Sequence, residues 1–135
     1  MKALDTSVLL ALLEGDRSAT ELVRKLGGVE IATTEANLLE LAYLARRGSA
    51  RVRARRHEAL DRLRRKVTIL PIDQRAVSEA ERCVLKGEHP SSPLVAGMLG
   101  ALETAGCDEL YTTDPQECGG RWRFRVTRFT RRNPK

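Results

Sequence analysis

Four short apolar runs, the first three each followed by sequence of helical spacing, constrain the fold of this chain more than any other feature. Residues 2–5, 29–32, 67–70 and 109–112 are too short for helices and are bounded by cap, turn or proline signals, so they predict strands. Thr6 or Ser7 predicts the cap of a helix over about 8–14, ended by Gly15-Asp16. Ser18-Ala19-Thr20-Glu21 has the form of a capping box and predicts the start of a helix carrying Leu22, Val23 and Leu26. Thr33 or Thr34 caps a longer helix with Leu38, Leu41, Ala42 and Ala45 on one stripe. Helices follow over 50–66 and over 74–86, the latter with Ala76, Val77, Ala80 and Val84 as its apolar stripe. Ser92 and Pro93 open a helix closed by Gly106. Trp122, Phe124 and Val126 alternate with arginines and predict a final edge strand, rings inward, rather than a surface for stacking on RNA bases.

Strands alternating with helix pairs imply an α/β fold with a small, mostly parallel sheet and helices on both faces. The length, 135 residues, fits one domain over 1–130 with a basic tail over 131–135. Three cysteines, no C-x-x-C pair and two histidines apart in sequence argue against a disulfide framework or a zinc site and suit a reducing cytoplasm. The N-terminal apolar run stops at Glu14, too soon for a signal peptide or a membrane span.

Acids mark the place where chemistry is expected. In open α/β sheets ligands bind beyond the carboxyl ends of the strands, and Asp5 and Asp114 stand at two such ends. Glu40 lies within the apolar run Asn37-Leu38-Leu39-Glu40-Leu41, where a carboxylate is costly unless paired or bound to a cation. Each has a plainer role open to it: Asp5 as a helix cap, Glu40 as a solvated residue, Asp114 as a turn residue before Pro115. Together they repel one another, and a hard divalent cation relieves that repulsion and suits phosphodiester hydrolysis.

Leu4-Asp5-Thr6-Ser7, Thr34 with Glu40-Leu41, and Thr112-Thr113-Asp114 together resemble the PIN domains, most nearly the VapC-like toxin ribonucleases. The resemblance runs to about residue 117 and implies a three-layer α/β/α fold. It further implies an endoribonuclease dependent on Mg²⁺ or Mn²⁺, with Asp5, Glu40 and Asp114 as catalytic and metal-binding acids and Thr6 and Thr112 beside them. In-line attack on phosphorus would leave a 5′-phosphate and a 3′-hydroxyl. An antitoxin partner and a homodimer are implied as well. One departure stands out: where the family has a further Asp at the start of the helix before the last strand, this chain has Ser92. Neither Glu88 nor Asp108 is well placed to substitute. Loss of an acid weakens divalent-ion binding, so the alternative is a degenerate PIN domain that binds RNA or a protein without cutting.

The net charge of +6 points to a polyanionic partner, nucleic acid before membrane. Ten basic residues lie between Arg46 and Lys66, against Glu58 and Asp61. Arg46, Arg47, Arg51, Arg53, Arg55 and Arg56 are the candidate RNA contacts, with Ala54, Leu60 and Leu63 left to pack. A solvated helix face or a dock for an acidic antitoxin tail remains open for the same segment. A receiver domain also places Asp at strand ends, but residues 67–73 carry no phosphoacceptor at the strand end and no later Lys suits that role.

Overall fold

The computed structural model describes residues 1–87 and 90–132. Five parallel strands form one sheet in the order β3-β2-β1-β4-β5. The strands are β1 (Lys2–Leu4), β2 (Ile31–Thr34), β3 (Thr68–Leu70), β4 (Glu109–Thr112) and β5 (Arg125–Arg128). The helices are α1 (Thr6–Leu13), α2 (Arg17–Lys25), α3 (Glu35–Ala45), α4 (Ala50–Lys66), α5 (Gln74–Leu85) and α6 (Pro93–Ala105). A 3-10 turn, Pro115–Glu117, joins β4 to β5.

Strand alternation sorts side chains onto two cores. Ala3 of β1 and Leu110 of β4 face Met98, Leu99 and Leu102 of α6. Their neighbours Leu4 and Tyr111 face the other way, toward Val8 and Leu9 of α1 and Leu38 and Leu41 of α3. Helices therefore cover both faces, and the three-layer α/β/α arrangement expected from the resemblance is present. No helix among the described residues is long and apolar enough to cross a membrane.

Several local expectations shift. α2 is capped by Asp16, whose Oδ2 accepts from the Ala19 amide at 3.0 Å, and not by Ser18. Asp16 is fully buried, so it lies in the turn where its carboxylate reaches the free amides of the first turn. β2 starts at Ile31, two residues later than expected, because Thr33 and Thr34 are buried between β1 and β3 while Val29 is exposed. On α5, Ala76, Ala80 and Cys83 are buried, whereas Val77 and Val84 face outward. On α4, Leu60 is buried and Leu63 packs beside it, but Ala54 is exposed. Trp122 and Phe124 precede β5 rather than forming it, and they stack on each other with centroids 5.8 Å apart. Phe124 is buried, so its ring is not available to a base.

The chain beyond β5 runs back along α1 and α2. Arg131 pairs with Glu14 at 2.7 Å and Arg132 with Glu21 at 3.3 Å. Glu88 and His89 lie outside the described residues, as do residues 133–135. Cys83, Cys107 and Cys118 are buried and are not joined in disulfides.

Candidate functional site

The parallel sheet brings the ends of β1 and β4 side by side, and Asp5 leaves the sheet at that junction. Its main-chain amide donates to the Tyr111 carbonyl at 3.2 Å. Its Oδ1 accepts from the Val8 amide at 3.2 Å, capping α1, and from the Ser7 hydroxyl at 2.5 Å. The same hydroxyl accepts from the Thr113 amide at 3.1 Å. Ser7 thus couples the Asp5 carboxylate to the loop that carries Asp114. Burial pushes the Asp5 carboxyl above its ordinary value of 3.8, against the opposing hydrogen bonds from Ser7, Thr112 and the Val8 amide. Asp5 is thus the cap of α1, and it also lines a cleft.

That cleft has a volume of about 600 Å³, and Asp5, Thr6, Asn37, Glu40, Ser92 and Glu117 are among the residues lining it. Glu40 projects from α3 one turn beyond Asn37, at its exposed edge. Asn37 is buried, bonded to Thr34 and Thr6, and fixes the start of α3. Ser92 caps α6, its hydroxyl accepting from the Val95 amide at 3.1 Å. Asp114 opens the 3-10 turn, its amide donating to the buried Thr112 hydroxyl at 3.2 Å. Asp114 is not itself a lining residue, but its charge reaches the cleft. Burial raises the Glu117 carboxyl, and the charges of Asp114, Asp5 and Glu40 raise it further. Burial likewise pushes the Cys118 thiol to about 12, helped by Asp5, Glu117 and Asp114.

Among the described residues, none of Asp5, Glu40, Asp114 and Glu117 takes part in an ion pair. In a chain of net charge +6 that leaves a local excess of negative charge with no ion-paired cation among the described residues. All-oxygen donors of this kind suit a hard divalent ion. Among the described residues no three acidic, histidine or cysteine side chains converge on one point. The cleft therefore offers carboxylates in an open arrangement rather than a closed cage. Small hard cations such as Mg²⁺ accept that arrangement, since they keep several waters and use one or two carboxylates. The donor chemistry fits.

The six candidate RNA-binding arginines divide by their partners. Arg46 stacks over the Tyr43 ring at 4.9 Å, Arg53 donates to the Gly48 carbonyl, and Arg56 donates to the Arg47 carbonyl and to Glu14. The side chains of Arg47, Arg51 and Arg55 make no such contact among the described residues. None of the six lines the cleft, although Arg46 follows the lining residue Leu44 by two positions.

The sequence pointed to Ser7 only as a cap of α1, which is Asp5 instead, and gave no site role to Asn37 or Glu117. Asn37 sits three residues after the cap Thr34, the place from which a side chain returns to the cap, and that spacing was its signal. Glu117 follows Asp114 by three residues, but only the turn between them brings it to the cleft.

Among curated proteins, no sequence matches this chain. Solved structures share its fold. A VapBC2 structure from Rickettsia felis, bound to a DNA fragment from its promoter, superposes with a TM-score of 0.78 at 14% identity, covering 96% of this chain and 98% of that one. The Mycobacterium tuberculosis VapC20, a toxin that cleaves the sarcin-ricin loop, superposes with a TM-score of 0.67 at 20% identity, covering 87% and 92%. VapBC-5 of the same organism, from the VapBC family of toxin-antitoxin systems, gives 0.69 at 21%, covering 95% and 98%. The family model of the PIN domain matches residues 2–111, and the chain belongs to the PIN-domain family.

Proposed function

We propose that this chain is a divalent-metal-dependent endoribonuclease and the toxin of a toxin–antitoxin pair, acting in the cytoplasm. The observation that carries the nuclease reading is the cleft at the carboxyl end of the sheet, lined by Asp5 and Glu40 with Asp114 in the adjoining turn, where none of the three acids is ion-paired among the described residues. Membership of the PIN family supports it.

Asp5 and Glu40 would hold Mg²⁺ or Mn²⁺, with Asp114 completing the set. When bound, the ion supplies water activation and neutralises charge on the phosphate. The chain's own residues prepare that chemistry. Ser7 and the Val8 amide both bond one oxygen of Asp5 and so fix its carboxylate plane. The Thr34–Asn37–Thr6 bonds fix where Glu40 emerges. Thr112 holds the amide of Asp114. Arg47, Arg51 and Arg55 would take the phosphates of RNA lying across the mouth.

For the partner, α3 exposes Leu39 (70%) and Tyr43 (61%), next to the arginines that follow it. Apolar residues edged with positive charge suit an amphipathic acidic segment of an antitoxin. A homodimer is proposed on the exposed Val77, Val84 and Leu85 of α5, and sedimentation tests it.

A second reading is favoured by one residue. Ser92 is neutral, and a site short of one charge binds ions more weakly, which would leave an RNA-binding PIN domain without cleavage. The deciding experiment is incubation of mixed structured RNAs with Mn²⁺ or Mg²⁺, with EDTA and Asp5→Asn as controls. Cleavage lost in both controls establishes the nuclease. Tight, metal-independent RNA binding with no cleavage would overturn it in favour of the second reading.

A further inference from the structure

We propose that a second cavity, at the far end of α6 from the acidic cleft, binds a nucleotide by its phosphate monoester, with arginines on the phosphate and Trp122 against the base. The nucleotide is free or stands at the end of an RNA strand. This does not rest on the metal-dependent reading of the cleft.

The cavity has a volume of about 720 Å³ and lies where the last turn of α6 meets α5 and the segment leading into β5. Ser92, at the start of α6, lines the cleft, whereas Glu103 and Thr104, near its end, line this cavity. At about 1.5 Å per residue the helix puts roughly 16 Å between the two. Four arginines, Arg75, Arg82, Arg121 and Arg123, line the cavity with two glutamates, Glu79 and Glu103. The surplus of positive charge suits a phosphate monoester, which carries about −1.5 to −2 at neutral pH. These charges act on one another. The hydrogen bond from Arg82 holds the Glu79 carboxyl below its ordinary value of 4.5, and the charges of Arg123 and Arg75 add to that.

The walls are fixed while two of the cations are not. The Glu103 side chain is 8% exposed, and its Oε1 accepts from the Arg123 main-chain amide at 2.8 Å. That bond anchors the segment but leaves the Arg123 guanidinium 93% exposed, 3.5 Å from Glu103. A pair so exposed is weak, and the guanidinium can turn to an anion. Arg75 makes no hydrogen bond or ion pair among the described residues. Trp122 is held on several sides. Its indole nitrogen donates to the Gly119 carbonyl at 3.2 Å, Phe124 stacks on it, and a Cβ at Gly120 would stand 2.8 Å from that nitrogen. Trp122 is only partly buried and borders the cavity, so a rigid aromatic ring stands beside the arginines. Charge-assisted bonds serve a phosphate and an aromatic ring serves a base. Thr104 also lines the cavity, and its hydroxyl oxygen is buried with no hydrogen-bond partner among the described residues. A buried polar atom of that kind calls for a ligand or an ordered water.

The test follows the fluorescence of Trp122, the only tryptophan in the chain, as AMP is added to the full chain, with calorimetry in parallel. EDTA is present throughout, so that no metal ion in the cleft can hold the phosphate. We expect a saturable change in emission with AMP, and binding weaker by about tenfold or more for inorganic phosphate and for adenosine. Arg75→Ala with Arg123→Ala should weaken AMP binding by about tenfold or more, because hydrogen bonds to charged groups are lost. Arg17→Ala, which removes a positive charge from α2, should change nothing. Far-UV circular dichroism checks each variant's fold. A 5′-phosphorylated RNA oligonucleotide that competes with AMP, where its 5′-hydroxyl counterpart does not, supports the proposal with an RNA end as the source. AMP binding without that competition supports it with a free nucleotide. If neither AMP nor the phosphorylated oligonucleotide binds by either method, the proposal is overturned. It is overturned equally if the double variant binds AMP as the parent does, or if adenosine or phosphate alone binds as tightly as AMP.

Discussion

The Asn37 amide nitrogen donates to the Thr6 hydroxyl at 3.0 Å, joining the first turn of α3 to the first turn of α1 across 31 residues of sequence. Through that bond the helix that carries Glu40 is registered against the helix that Asp5 caps. The Asn37 carbonyl oxygen of the side chain also accepts from the Thr34 hydroxyl at 2.7 Å. Asn37→Ala leaves the buried Thr6 and Thr34 hydroxyls without that partner. We expect a loss of about 1–3 kcal/mol in urea unfolding. We also expect weaker Mn²⁺ binding, since Glu40 would no longer be held in place. Unchanged stability would mean that water replaces the amide without cost.

Gly100 of α6 lies against the backbone of α5. A Cβ at that position would stand 2.1 Å from the Ala76 carbonyl oxygen and 3.1 Å from the Ala80 amide nitrogen. Backbone cannot rotate away as a side chain can, so Gly100→Ala must push the two helices apart. We expect a loss of about 3 kcal/mol or more, the upper end of overpacking costs. Gly97, one turn earlier, meets only Ile72 at 3.4 Å, and Gly97→Ala should be neutral or slightly stabilising. Thermal unfolding of the two variants side by side checks both.

Glu109 begins β4 and is buried, with Tyr111, Thr127 and Lys2 as hydrogen-bonding or ion-pair partners. Burial pushes its carboxyl upward, but the bonds from Thr127, Lys2 and Tyr111 outweigh this and hold it below the ordinary value of 4.5. The sign follows from linkage. Above the unfolded-state value the carboxylate is charged in both states and its full contribution is present; that contribution is lost as pH falls through the lower folded-state value. Glu109→Gln should therefore cost about 1–3 kcal/mol at neutral pH. The deficit should shrink below pH 4.5, which chemical unfolding at a series of pH values measures.

If α4 contacts RNA, its arginines are not equal. Arg51 and Arg55 are unengaged among the described residues, while Arg56 is bound to Glu14 and to the Arg47 carbonyl. Arg51→Ala with Arg55→Ala should weaken binding of single-stranded RNA across sequences. It should also lower the slope of log affinity against log salt by about 0.7 for each phosphate that is no longer neutralised. Arg56→Ala should chiefly loosen α4 from α1. Equal salt slopes for parent and double variant would exclude α4 from the RNA surface.

Much of the fold was legible because its signals are local. Ser92 with Pro93 and Gly106 bound α6 as expected, and Thr34 caps α3. Where sequence signals competed, the structure chose by burial. Ser18 and Asp16 both suit a cap, and Asp16 wins because it lies at the turn, buried, with its carboxylate against the Ala19 amide. On α5 the apolar stripe rotates toward Ala80 and Cys83, since α6 packs so closely there that small residues are required and Val84 is turned outward.

The candidate site divides in the same way. The sequence by itself determined the strand ends at which Asp5 and Asp114 stand and the helix that bears Glu40, because caps, turns and apolar periodicity act over a few residues. Only the tertiary structure decided that Ser7 bonds both Asp5 and Thr113, that Asn37 ties α3 to α1, and that the Ser91 amide bonds the Glu117 carbonyl. Those relationships depend on parallel strand register and on close backbone approach between segments distant along the chain, and no local pattern encodes either.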